Sequence, residues 1–117
     1  MILKNIGEEM NKNYNSGRRF EYRVKKYLEK KGYYVMRSAG SKSPFDLIAI
    51  PMKKPLINNK VLLIQCKHGV KISKTERLDI QILHNLFSLN VYCIIAWSKT
   101  HGKIEFQNTY SQEIGWL

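Results

Sequence analysis

A chain of 117 residues, 44% of them hydrophobic, is sized for one folded domain and leaves no room within it for a second. Its apolar runs are too short to span a membrane, and Met1-Ile2-Leu3 does not open a secretory signal, so an intracellular protein is expected. The 20 Lys and Arg against 9 Asp and Glu, a net charge of +11, imply a polyanionic partner, either nucleic acid or an acidic membrane surface.

The distribution of that charge favours nucleic acid. Between Gly17 and Lys74 there are 15 basic and 3 acidic residues, whereas the remainder carries 5 basic and 6 acidic. A merely solubilising surface mixes both signs along its length. Here the excess is confined to one stretch, as a nucleic-acid-binding face requires.

In chain order, residues 1–15 place polar Asn and Lys around a few apolar positions and read as a loosely held, flexible tail before a single domain over 16–117. Ser16 is placed to cap a helix over about Gly17–Lys31, with Phe20, Val24, Tyr27 and Leu28 at helical spacing and Gly32 as its left-handed stop. Tyr33–Arg37 reads as a short strand. A loop of small and polar residues follows from Ser38 to Pro44, with backbone N–H groups exposed.

Phe45–Ile50 is the second predicted strand, stopped by Pro51, and Lys53–Lys60 is its connection to the third, Val61–Lys67. The continuous run Val61-Leu62-Leu63-Ile64 predicts a central strand covered on both faces. Ser73-Lys74-Thr75-Glu76 has the S-x-x-E spacing of a capping box and opens a helix to about Leu89. Val91–Trp97 reads as a buried strand and Ile104–Gln107 as an edge strand. The order α-β-β-β-α-β-β predicts an α/β fold, a mixed central sheet flanked by helices. Cys66 and Cys93 lie inside apolar strands and are expected to be reduced.

The second helix has two apolar stripes, Leu78, Ile82, Leu86 and Leu89 on one side and Ile80, Leu83 and Phe87 nearly opposite. One covers the sheet. The other needs a partner, and a homodimer through the 74–89 helix answers that need, as would the N-terminal tail folded over it.

Two of the three acidic residues in the basic stretch are poorly placed for solubility. Glu21 lies on the flank of the first helix's apolar stripe. Asp46 stands near the start of an otherwise apolar strand, where an unpaired charge is costly. In the third strand, alternation sends Gln65 and Lys67 to one face and Cys66 to the other. Each has an ordinary reading: a helix-edge Glu, a strand-end Asp, a polar pair emerging into solvent. Together they form a pattern.

Gly17-Arg18-Arg19-Phe20-Glu21, Pro44-Phe45-Asp46 and Gln65-Cys66-Lys67, on a helix and two strands in that order, resemble the PD-(D/E)XK nuclease superfamily. Arg37-Ser38-Ala39-Gly40-Ser41 before Asp46, with Ser73 opening the second helix, looks more narrowly like the archaeal-type Holliday junction resolvases. The resemblance extends over approximately Ser16–Ile95. It implies a restriction-endonuclease-like fold and Mg²⁺-dependent hydrolysis of DNA, with Mn²⁺ as a substitute ion. Glu21, Asp46, Gln65 and the backbone carbonyl of Cys66 would hold the metal through hard oxygen atoms, and Lys67 would position the attacking water and neutralise the scissile phosphate. Gln65 departs from the usual Glu and leaves Glu21 and Asp46 as the only carboxylate ligands; Mrr-type nucleases resemble this chain in their Gln-x-Lys ending.

Arg18, Arg19, Arg37, Ser38, Ser41 and Lys42 are candidates for DNA phosphate contacts rather than base reading. The absence of a long basic reading helix points to recognition of DNA shape, as on a branched four-way junction. Cutting of linear or modified duplex by an Mrr-like nuclease, or binding without catalysis on a degenerate nuclease scaffold, are the rival readings. His68, His84 and His101 lack metal-ligand spacing and read as surface or packing residues, although His68 adjoins Lys67. Tyr14, Tyr22 and Tyr34 lie among basic residues and are candidates either for base stacking or for packing.

Overall fold

The computed structural model describes residues 2–38, 43–52, 59–99 and 102–117, with side chains from Ser16 onward. Helix α1 (Ile2–Lys30) leads into strands β1 (Tyr33–Arg37), β2 (Leu47–Pro51) and β3 (Val61–His68). Helix α2 (Lys74–Leu86) then crosses to β4 (Val91–Ser98), and β5 (Glu105–Gln107) follows. The sheet has the order β1-β2-β3-β4-β5, with β3 and β4 parallel and the other neighbours antiparallel. The α2 crossover explains the parallel pair, because parallel strands cannot be joined by a tight hairpin.

The two helices lie on opposite faces. On the α1 side, Phe20, Val24 and Leu28 pack with Val35, Leu47, Ala49, Leu62, Ile64, Ile94, Ala96 and Phe106 into the larger core. On the α2 side, Ile80 packs with Phe45, Cys93 and Ile95, while Leu63, Ile72 and Leu83 are partly buried around them. Alternation along β3 therefore sends Leu62 and Ile64 to α1 and Leu63 to α2, covering the strand on both faces. Burial of each large aliphatic or aromatic side chain contributes about 1.5–3 kcal/mol, so these two layers drive the fold.

Several boundaries differ from the sequence expectation. The first helix begins at Ile2 rather than at Ser16, and residues 2–15 continue it instead of forming a separate tail. Ser16 is thus no N-cap: its Oγ is hydrogen-bonded to His68 Nδ1 at 3.2 Å, across the gap between α1 and β3. Gly32 does stop the helix, with φ of 103°. Strand β2 starts at Leu47, leaving Phe45 and Asp46 just before it. Ser73 caps α2 with the full reciprocal capping box, but the helix ends at Leu86 and Phe87 turns to an extended conformation, which places Leu89 beyond the helix. The stripe facing the sheet is that of Ile80 and Leu83; Leu78, Ile82 and Leu86 face outward. Cys66 and Cys93 are free thiols. The predicted 53–60 connection lies mostly outside the described residues, as do Ser41, Lys42 and His101, and the side chain of Tyr14.

Candidate active site

The ends of β1 and β3, the start of β2, and helix α1 meet at one end of the sheet, and the residues singled out in the sequence meet there with them. Pairing of Arg37 with Leu47 and of Leu47 with Ile64 brings Arg37, Asp46 and Gln65 to neighbouring strand positions. The backbone locks Asp46 in place: its N–H donates to the Ile64 carbonyl at 2.7 Å, and its own carbonyl accepts from the Ser38 N–H at 2.8 Å. Its side chain reaches across to β3, where Oδ2 accepts the Cys66 N–H at 2.8 Å. An aspartate here thus fills the place of one strand hydrogen bond with a carboxylate oxygen.

That carboxylate is half-buried, and its pKa is raised above the ordinary value of 3.8, first by burial and further by the charge of Glu21. The Cys66 N–H bond, Lys67 and Arg37 act in the opposite direction. Glu21 comes from α1, where its side chain is 17% exposed, and its Oε2 accepts a 2.7 Å charge-assisted hydrogen bond from Arg37 Nε. The Asp46 and Glu21 carboxylates are therefore within electrostatic reach of one another, with Arg37 hydrogen-bonded to Glu21.

Lys67 stands on the other side. Its Nζ is 2.5 Å from Glu76 Oε2, in the first turn of α2. Gln65 precedes it on the same strand face, half-buried. The Cys66 side chain points instead toward the α1 core, and burial, then the charges of Asp46 and Glu21, push its thiol pKa well up, so it is a neutral packing group; only its backbone is offered to the site. His68 stacks on Phe20 with ring centroids 5.3 Å apart. With the Ser16 bond, this fastens the Glu21-bearing helix to the Lys67-bearing strand.

Of the residues proposed for DNA contact, Arg18 and Arg19 are exposed on α1, Arg37 is tied to Glu21, and Ser38 follows Arg37 at the edge of the site. Two participants escaped the sequence reading. Glu76 was legible only as a capping-box residue, and Ser16 only as a helix cap. The S-x-x-E spacing fixed Glu76 in the first turn of α2, which by the crossover geometry must start near the end of β3; that was the available signal.

The family model for archaeal Holliday junction resolvases (hjc) matches residues 12–106. The chain belongs to that family. It is 33% identical over 105 residues to the crossover junction endodeoxyribonuclease Hjc of Methanocaldococcus jannaschii, a match that covers 86% of this chain and 71% of that protein. The solved structure of Archaeoglobus fulgidus Hjc, described as a Holliday junction resolvase from an archaeal hyperthermophile, aligns with a TM-score of 0.61 at 21% identity. That alignment covers 81% of this chain and 74% of the other, and it shows a shared fold. The matched range 12–106 includes Glu21, Asp46 and Lys67.

Proposed function

We propose that this resolvase-family chain is a homodimeric, Mg²⁺-dependent endonuclease that resolves four-way DNA junctions by paired incisions, one per subunit. The single observation that carries the reading is the placement of Asp46, half-buried and within electrostatic reach of both the Glu21 carboxylate and Lys67. A half-buried aspartate whose pKa is raised by burial and by a second carboxylate's charge favours a cation beside it.

The donor chemistry fits a hard divalent ion. Asp46, Glu21, the Gln65 amide oxygen and the Cys66 carbonyl are all oxygen ligands, and Mg²⁺ binds through one or two carboxylates while keeping several waters. When bound, such an ion would lower the pKa of a water and stabilise charge on the phosphoryl oxygens. Lys67 would hold the scissile phosphate and the attacking water, and Glu21, fixed by Arg37, would keep its carboxylate aimed at the site. Arg18 and Arg19 supply phosphate contacts that set DNA affinity without reading sequence.

The dimer is supported by α2. Leu78, Ile82 and Leu86 remain 54%, 51% and 74% exposed on the face turned away from the sheet. An apolar stripe of this kind marks an interaction surface, and a two-fold axis through it would set two sites side by side.

A second reading has its own observation. Among the described residues, no three His, Cys, Asp or Glu side chains converge to hold a metal. With Gln65 in place of an acid, this favours a DNA-binding module that has lost catalysis. Incubation of the full chain with a labelled four-way junction and with linear duplex of equal length, with and without Mg²⁺, separates the two. Symmetric Mg²⁺-dependent nicks on the junction are the expected result. Equal cutting of both substrates would overturn junction selectivity, and junction binding without any cutting would establish the second reading.

A further inference from the structure

Along β3 the residue two positions before Lys67, on the same strand face, is the neutral Gln65. A lysine at a strand end carries its ammonium on a flexible four-carbon stem, and it needs an anionic anchor before that charge occupies one place. Gln65 cannot be that anchor. The structure supplies another from a different element: Glu76 Oε2, 2.5 Å from Lys67 Nζ.

Glu76 is itself held on both ends. Its Oε1 accepts the Ser73 N–H at 3.4 Å, and its own N–H donates to Ser73 Oγ at 3.2 Å, closing the capping box of α2. One carboxylate thus caps the helix with one oxygen and grips Lys67 with the other. At the third position of α2 it also sits at the positive end of the helix dipole, which favours its ionised form. The hydrogen bond to Lys67 above all, with lesser help from those to Ser73, holds its pKa below the ordinary carboxylate value against the opposing effect of burial. On the opposite side, Lys67 lies within electrostatic reach of Asp46. The ammonium is thus paired directly with the helix carboxylate and lies within electrostatic reach of the Asp46 carboxylate ahead of β2.

We propose that Glu76 is the positioning residue for Lys67, supplying from the first turn of α2 the negative charge that Gln65 does not, and holding the ammonium at the end of β3 where the site is built. The proposal rests on the nuclease reading above for its consequence, since Lys67 is what touches the substrate and Glu76 acts through it. It makes the docking of α2 against the end of β3 part of the catalytic geometry. An ordinary exposed ion pair would contribute little and its loss would leave cleavage unchanged.

The variant Glu76→Gln tests this cleanly, because glutamine also closes a capping box at this position and keeps the fold. With the four-way junction and Mg²⁺, kcat is expected to fall by about tenfold or more, since small displacements of a positioned group cost rate steeply, while KM and junction affinity stay as in the wild type and the melting temperature falls only slightly, by the loss of a largely exposed ion pair. Adding Gln65→Glu to that variant is expected to recover most of the lost kcat by returning a carboxylate from the strand side. A readout independent of cutting comes from NMR of the metal-free protein. The two Lys67 ε-methylene protons are expected to be inequivalent in the wild type and to merge in Glu76→Gln. An unchanged kcat in Glu76→Gln, or already equivalent methylene protons in the wild type, would overturn the proposal. Should the wild type fail to cut any junction, it is the nuclease reading that falls, and the NMR comparison still decides whether Glu76 holds Lys67.

Discussion

The two faces of the sheet are built to different standards of closure. On one, α1 buries Phe20, Val24 and Leu28 completely against β1, β2 and β3, and Phe106 and Ile114 extend the same core to β5. On the other, α2 contributes Ile80 alone as a fully buried side chain, rests mainly on β4, and leaves Leu78, Ile82 and Leu86 in solvent. The site at the sheet end draws on both: Glu21 and its partner Arg37 belong with the closed face, Lys67 and Glu76 with the open one, and Asp46 lies between. One half of the site is therefore set by the fold of the single chain. The other half depends on how α2 is seated, which a partner copy pressed on its bare stripe would influence.

The largest expected effect falls on the residues at the seam. Asp46→Ala and Lys67→Ala should each lower junction cleavage by on the order of 10³-fold or more, because each removes a group that acts on charge developing at the phosphate. Binding should persist, since affinity rests chiefly on the basic face. Gel-shift titration beside a cleavage time course measures both, and normal cutting by Asp46→Ala would dissolve the site altogether.

The contrast between the faces is broken next by stability. Leu28→Ala, at a fully buried position under α1, should cost about 2–5 kcal/mol of unfolding free energy. Leu78→Ala on the outer stripe of α2 should change the stability of the dilute chain by about 0.5 kcal/mol or less. Denaturant melts at low protein concentration give both values. Equal costs would mean that the α2 stripe is covered within the single chain.

Association sharpens the same point. Ile82→Lys places a charge in the middle of the exposed stripe without touching the core or the site, and should convert a dimer to a monomer in size-exclusion chromatography with light scattering. A wild-type chain that is already monomeric at high concentration would remove α2 as the dimer surface.

How much of this was legible in the sequence follows the range of the interactions involved. Elements set by local chemistry were read correctly: the Ser73–Glu76 capping box, the Gly32 stop, and the buried run Val61–Ile64 as a central strand. Gln65 and Lys67 stood out because strand alternation fixes faces over short distances, and Asp46 because a charge beside an apolar strand is costly without a partner. Ser16 was misread because a serine before an amphipathic stripe signals a cap, whereas here its partner is His68, 52 residues away, and no local rule reports that contact. The end of α2 was placed too late for a related reason. Leu89 continues the helical period, but Phe87 leaves the helix and the Asn90 N–H turns back to Ser88 Oγ, a serine turn that outcompetes another helical turn. Glu76 was seen as a cap and not as the partner of Lys67, because that pair exists only once α2 docks at the end of β3.

The smallest expected effect concerns pH, and it tests whether Asp46 carries the strain that the seam between the two faces implies. Burial, then the Glu21 charge, raises its folded pKa above 3.8, so the folded protein holds the Asp46 proton more tightly than the unfolded chain does. The sign follows by linkage: as pH rises through 3.8 and then through the higher folded value, ionised Asp46 progressively destabilises the metal-free fold. Glu76 runs the other way, its lowered pKa stabilising the fold above 4.5 and losing that contribution as pH falls through its folded value. Asp46→Asn keeps an oxygen to accept the Cys66 N–H and removes the charge, so at pH 7 without metal it should melt a few degrees above the wild type. The gap should close in acid below pH 3.8, where the wild-type carboxyl is protonated in both states. Added Mg²⁺ should raise the wild-type melting temperature more than that of Asp46→Asn, narrowing the gap at pH 7 as well. A variant less stable than the wild type at pH 7 would mean that Asp46 is well satisfied by its own protein neighbours, and that its carboxylate makes no demand for a cation.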